Sequence, residues 1–122
     1  MNLRLLNLLI KEGEGLTTEF KEHFTSRIDQ DIVAFANSKG GKILLGVSDD
    51  GSISGEKLAN HLRSQIISLG RNCDPSISLS IKQVGTIVLV EVPEGDEKPY
   101  SCSSGYFKRL DAVTQKMSKK EL

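Results

Sequence analysis

The segment IDQDIVAFANSKGGKILLGVSDDGSISG, from Ile28 to Gly55, constrains the fold more than any other part of the chain. Ile28, Ile32, Phe35 and Ala36 recur at the spacing of one helical face, with Asp29 and Asp31 in the first turn, where the macrodipole favours acids. Lys39 is expected to close the last turn, and Gly40-Gly41 to end the helix, since glycine takes left-handed backbone without a Cβ penalty. Ile43, Leu44, Leu45 and Val47 follow as a nearly unbroken apolar run, the pattern of a strand covered on both faces. That places the strand Lys42–Ser48 inside its sheet, and Asp49-Asp50-Gly51 after it reads as a tight hairpin turn.

The flanking sequence supplies what such a strand needs around it. Leu3, Leu6 and Ile10 give a short N-terminal helix ending near Gly13, and Thr17 to His23 supports a short strand. Leu58, Leu62, Ile66 and Leu69 predict a second amphipathic helix stopped by Gly70, with Lys57 and Arg63 outward. Ile77, Leu79 and Ile81 alternate with polar residues and form a hairpin with Thr86–Val92. Gly105–Leu110 reads as an edge strand, and Asp111–Gln115 as a turn. Ser118 and Glu121 have the spacing of a capping box, so 118–122 is expected to open a helix that continues in a longer protein, with 1–117 as the domain. The fold class is therefore α+β (mixed α/β): a single domain with about three helices against a mixed central sheet of about five strands.

Composition bears on function at a few points. Sixteen basic and sixteen acidic residues cancel. From Lys98 onward, however, six bases (Lys98, Lys108, Arg109, Lys116, Lys119 and Lys120) face two acids (Asp111 and Glu121). Neither a secretion signal nor a membrane-length apolar run is present, so the expected location is cytoplasmic, with no membrane partner. Cys73 and Cys102 are expected as free thiols unless the fold brings them together. The glycines lack both the GK[ST] ending of a nucleotide loop and the GxGxxG spacing, and His23 and His61 have no partner at ligand spacing.

Glu14 with Glu19-Phe20-Lys21, then AFANSKGG (34–41), GVSDDG (46–51), Lys98-Pro99-Tyr100 and Tyr106 with Lys108-Arg109 together resemble the AlbA-like domain of Schlafen proteins. The same domain occurs at the N-terminus of many bacterial and archaeal transcriptional regulators and helicase-related proteins. The resemblance implies a DNA-binding module fused to C-terminal domains, and it places Arg109 at the family's basic position. Nucleic acid is thus the expected partner, DNA ahead of RNA, held through backbone phosphates by Lys98, Lys108, Arg109 and Lys116. Lys119 and Lys120 belong to the same basic tail, with Arg63, Arg71, Lys39 and Lys42 as further candidates if the fold places them nearby. Tyr100 and Tyr106, or Phe107, would stack on bases. The binding function itself calls for no cofactor.

Two alternatives accompany this reading. In Schlafen ribonucleases the resemblance implies a Glu, Glu, Asp trio, matched here by Glu14, Glu19 and Asp50 (or Asp49), which would hold a divalent magnesium or manganese ion for phosphoryl displacement. The other alternative is a self-associating regulator domain, a homodimer formed through strand edges and the apolar N-terminal helix.

Overall fold

The computed structural model describes residues 1–122. Its elements run α1 (Leu3–Glu12), β1 (Thr18–Lys21), α2 (Ile28–Ala36), β2 (Gly41–Leu45), α3 (Asn60–Arg71), β3 (Ser80–Val84), β4 (Ile87–Val92), β5 (Ser101–Cys102), β6 (Gly105–Leu110) and β7 (Val113–Lys116). Three α-helices in an α+β arrangement agree with the sequence pattern. The strands divide into two sheets: a mixed four-stranded sheet in the order β1-β2-β4-β3 and an antiparallel three-stranded sheet β5-β6-β7.

The apolar run of β2 lies where its composition requires. β2 pairs parallel with β1 and antiparallel with β4, and its alternate residues feed two cores. Ile43 and Leu45 join Ile28, Ile32, Val33, Phe35 and Ile66 on the face covered by α2 and α3. Leu44 joins Phe20, Val47, Ile87 and Leu89 on the other face, where α1 supplies Leu6. The rest of α1 is thinly seated, with Leu3, Leu5 and Leu8 each more than half exposed. No helix is long and apolar enough to cross a membrane.

Several boundaries differ from the sequence reading, each for a local reason. α2 stops at Ala36, ahead of Lys39, because the Asn37 side chain turns to another sheet and the Gly40 N–H, at φ +73°, donates to the Phe35 carbonyl at 2.8 Å. The Asp49-Asp50-Gly51 turn closes with a bond from Gly51 N–H to Ser48 O, but it joins only the isolated bridge Val47–Ile53. The antiparallel neighbour of β2 is β4, distant in sequence, so no hairpin forms there. Gly70 lies inside the last turn of α3, where a Cβ would stand 2.5 Å from the Ile77 carbonyl, so close approach and not helix termination requires the glycine. Ile77 is buried but precedes β3, its N–H bonded to Gly70 O. Residues 113–115, expected within a turn, instead belong to β7 (Val113–Lys116), after a tight reversal at Asp111, φ +52°. Ser118 and Glu121 do form a capping box, opening the single 3-10 turn Lys119–Glu121.

Candidate functional site

The two sheets meet over α2, and the contact is made by polar side chains whose sequence positions lie far apart. At the end of α2, Asn37 Nδ2 donates to the carbonyls of Tyr100 (2.9 Å) and Phe107 (2.8 Å), while its Oδ1 accepts from Tyr100 N–H at 2.6 Å. The next residue, Ser38, accepts from Arg109 N–H through Oγ at 3.1 Å. The NS pair of the AFANSKGG motif is thus the clamp that fixes β5 and β6 in register against α2.

The strand register then directs Arg109 inward. In GYFKRL, Phe107 and Arg109 share one face and Tyr106 and Lys108 the other, as the period of a strand demands. The Arg109 side chain is fully buried, its guanidinium carbon 4.6 Å from the centre of the Phe35 ring. Nη1 donates to Glu19 Oε1 (2.6 Å) and Thr114 Oγ1 (3.0 Å); Nη2 donates to the carbonyls of Gly15 (2.5 Å) and Thr18 (3.2 Å). Nε has no partner. Thr114 passes the contact on by donating to Asp31 Oδ1 at 2.7 Å, and Lys21 Nζ lies 3.4 Å from Asp31 and 3.8 Å from Glu19. Glu14 accepts from Phe20 N–H at 3.0 Å and shares a hydrogen bond with Glu19.

Three carboxyls (Glu14, Glu19 and Asp31) therefore face two cations (Lys21 and Arg109), and one retained proton balances the set. The titration of Glu19 reflects this. Burial first, then the hydrogen bond to Glu14 and the charges of Asp31 and Glu14, push its pKa from 4.5 up to about 7, against the opposing pull of Arg109. Between these pH values the folded protein binds a proton that the unfolded chain has released, so stability falls as pH rises through about 7. The contribution is complete below about 4.5 and, discounted for the water that still reaches Glu19, amounts to about 2–3 kcal/mol. Glu19→Gln should flatten this slope in urea-denaturation midpoints taken from pH 5 to 8, and a variant slope equal to the parent's would refute the assignment.

The cluster floors a cleft of about 490 Å³ between the β1–α2 segment and the β6–β7 turn. Its polar wall carries Lys21, His23, Thr25, Arg27 and Gln30, facing Val113 and Thr114. Lys21 is tied to the floor acids, whereas Arg27 and His23 have no acidic partner.

The residues named from sequence are distributed unevenly around this cleft. Glu14 and Glu19 come together. Asp50 does not join them: its carboxylate accepts from Ser52 N–H at 2.9 Å in an exposed turn, and the Ser52 side chain, then that N–H, lower its pKa. Together with Arg109 on Glu19, this leaves no group of three acid, cysteine or histidine side chains placed to hold a metal ion, so the implied magnesium or manganese set does not fit the arrangement. Arg109 is unavailable to phosphate because its fork is enclosed by the fold. Tyr100 is buried against Gly95 and accepts from Glu97 N–H, and Phe107 is buried in the core, so neither offers a face to a base. Tyr106 remains half-exposed on the outer face of β6.

The basic tail also fails to make one continuous positive surface. Lys98 is paired with Glu94 at 2.8 Å and donates to Ser38 O, and Lys108 is paired with Glu121. Lys116 opposes Phe107 whereas Lys108 opposes Gln115, so the two lysines sit on opposite faces of the small sheet. Lys116, Lys119 and Lys120 are exposed without an acidic partner. Among the more distant candidates, Lys42 pairs with Glu91 and Arg63 donates to Ile81 O. Asp31 and Thr114 escaped the sequence reading. The signal for Asp31 was its place on the buried stripe of α2, three residues after Ile28 and four before Phe35. No local signal marks Thr114.

A family model described as Schlafen, AlbA_2 matches residues 14–118. No curated protein matches the chain. Among solved structures, the crystal structure of the DIP2311 protein from Corynebacterium diphtheriae superposes with a TM-score of 0.63 at 19% identity, covering 84% of this chain. The matched region is 22% of that protein, and at this identity the likeness concerns the fold alone.

Proposed function

The chain belongs to the Schlafen, AlbA_2 family, and on that premise we propose that it binds nucleic acid through backbone phosphates, as the N-terminal DNA-binding module of a larger transcriptional regulator. One observation carries this reading: a polar cleft whose wall offers Arg27 and His23 free of acidic partners, beside the hydrogen-bonding Thr25 and Gln30. A guanidinium in such a setting attracts phosphate without reading sequence, and each neutralised phosphate releases counterions. Tyr106 and Lys108 on the outer face of β6 extend the contact surface under this proposal. The C-terminal segments of the regulator would supply whatever sequence preference the module lacks.

The test is a salt titration of binding to duplex DNA, single-stranded DNA and RNA of mixed sequence. Arg27→Ala should reduce the slope of log K against log salt by about one phosphate contact, roughly 0.7–0.9. Lys108→Ala should change it less, because Glu121 already neutralises that ammonium. Tighter binding of duplex DNA than of RNA is expected. Equal slopes for Arg27→Ala and the parent would sink the cleft as the phosphate site.

A further inference from the structure

Cys73, in the turn after α3, and Cys102, in β5, are brought near each other by the chain pairing. Asp74 and Ser101 form an isolated antiparallel bridge and exchange both of their backbone hydrogen bonds, each at 2.9 Å. Cys73 and Cys102 are the residues that adjoin this bridge on its one side, where continued antiparallel pairing would set them across from each other with Cα atoms about 4.5 Å apart and side chains on the same face. A disulfide spans Cα separations of roughly 4.4–6.8 Å. Both thiols are free, Cys73 belongs to the main core, and Cys102 packs against that core from β5. Nothing in the acid cluster or the cleft uses either of them.

We propose that Cys73 and Cys102 are a redox modification site, an intramolecular disulfide formed by exchange with a low-molecular-weight disulfide such as oxidised glutathione. Cys102 is the half-exposed partner and the one the oxidant reaches; Cys73 is buried, its Sγ donating to Leu69 O at 3.2 Å. Asp29, near enough to Cys102 to influence its titration, is the adjacent proton acceptor. The Cys102 thiolate attacks one sulfur of the oxidant, whose S–S bond breaks and releases one thiol. The Cys73 thiolate then attacks Cys102 Sγ, releasing the second thiol, so two protein thiols are oxidised and one disulfide is reduced to two thiols. Burial raises both protein thiols, Cys73 to about 12, so exchange is slow and relies on proximity. The bond ties the turn after α3 to β5, and through the β5–β6 pairing to the strand that carries Arg109.

Intact-mass measurement on the folded chain, equilibrated with mixtures of oxidised and reduced glutathione and quenched in acid, tests this. The expected product is about 2 Da lighter than the reduced chain and carries no glutathione. Peptide mapping should join the fragment bearing Cys73 to the one bearing Cys102, and the oxidised chain should have the higher urea midpoint. Cys73→Ser should stop at one glutathione on Cys102, and Cys102→Ser should stay unmodified because the remaining thiol is enclosed. If a variant fails to fold, the parent chain alone still decides the matter. Two glutathiones per chain, an unmodified chain throughout, or a crosslink appearing only in urea would each overturn the proposal.

Discussion

Replacing Arg109 with methionine is expected to remove about 3–5 kcal/mol from the stability of the folded chain, measured by urea unfolding at pH 7, the cost typical of stripping one partner from a buried ion pair. The magnitude follows from what the guanidinium leaves behind. Glu19 loses its 2.6 Å partner, the carbonyls of Gly15 and Thr18 lose their donors, and Thr114 loses one of its two contacts. Methionine fills similar volume beside Phe35, so a cavity contributes little. Arg109→Lys restores the charge but not the fork that reaches two carbonyls and a carboxylate together, and should recover only part of the loss.

The same variant carries a pH signature that a simple packing defect would lack. With Arg109 gone, Lys21 is the one cation left among three carboxyls, and the pull that opposes the rise in the Glu19 pKa disappears. Glu19 should then stay protonated to higher pH than in the parent, so the penalty of Arg109→Met is smaller at pH 5 than at pH 8. A penalty below about 1 kcal/mol, within the range of surface ion pairs, or one independent of pH, would mean that Arg109 is not the hub of the cluster.

What the sequence made legible followed from periodicity. The double-sided burial of β2, the apolar stripes of α1, α2 and α3, and the close pairing of β3 with β4 are written in local spacing, and the structure has them. Harder to see was which way a strand faces. Arg109 read as a phosphate ligand because it sits in a basic tail, although Phe107 two residues before it fixes the same side of β6 as interior. Asp31, a first-turn acid suited to the macrodipole, also lies on the buried stripe of α2, where periodicity and charge point opposite ways. The split into two sheets had no local mark, since the bonds that set the second sheet on α2 join residues such as Asn37 and Tyr100, which lie 63 positions apart. Asp50 illustrates the opposite case, where motif position suggested chemistry and turn geometry accounts for the residue.

Asn37 is the second residue on which a large effect is expected, and for it the chemistry of the substitution separates two causes. Asn37→Ala leaves the carbonyls of Tyr100 and Phe107 and the N–H of Tyr100 without partners, at about 1–3 kcal/mol per unsatisfied buried group. The three do not add fully because water reaches the half-exposed site, so a loss of about 3–4 kcal/mol is expected. Asn37→Asp keeps the oxygen that accepts from Tyr100 N–H but turns a second carboxylate oxygen toward the carbonyls of Tyr100 and Phe107. It should be at least as destabilising as alanine at pH 7, and recover on acidification, when the protonated carboxyl can donate to one of the carbonyls. Amide hydrogen exchange supplies the spatial check: residues 101–110 should lose protection before β2 and β4 do, because the clamp holds the small sheet while the main sheet has its own two cores. Uniform loss of protection across both sheets would show that they unfold as one unit, with Asn37 an ordinary contact within it.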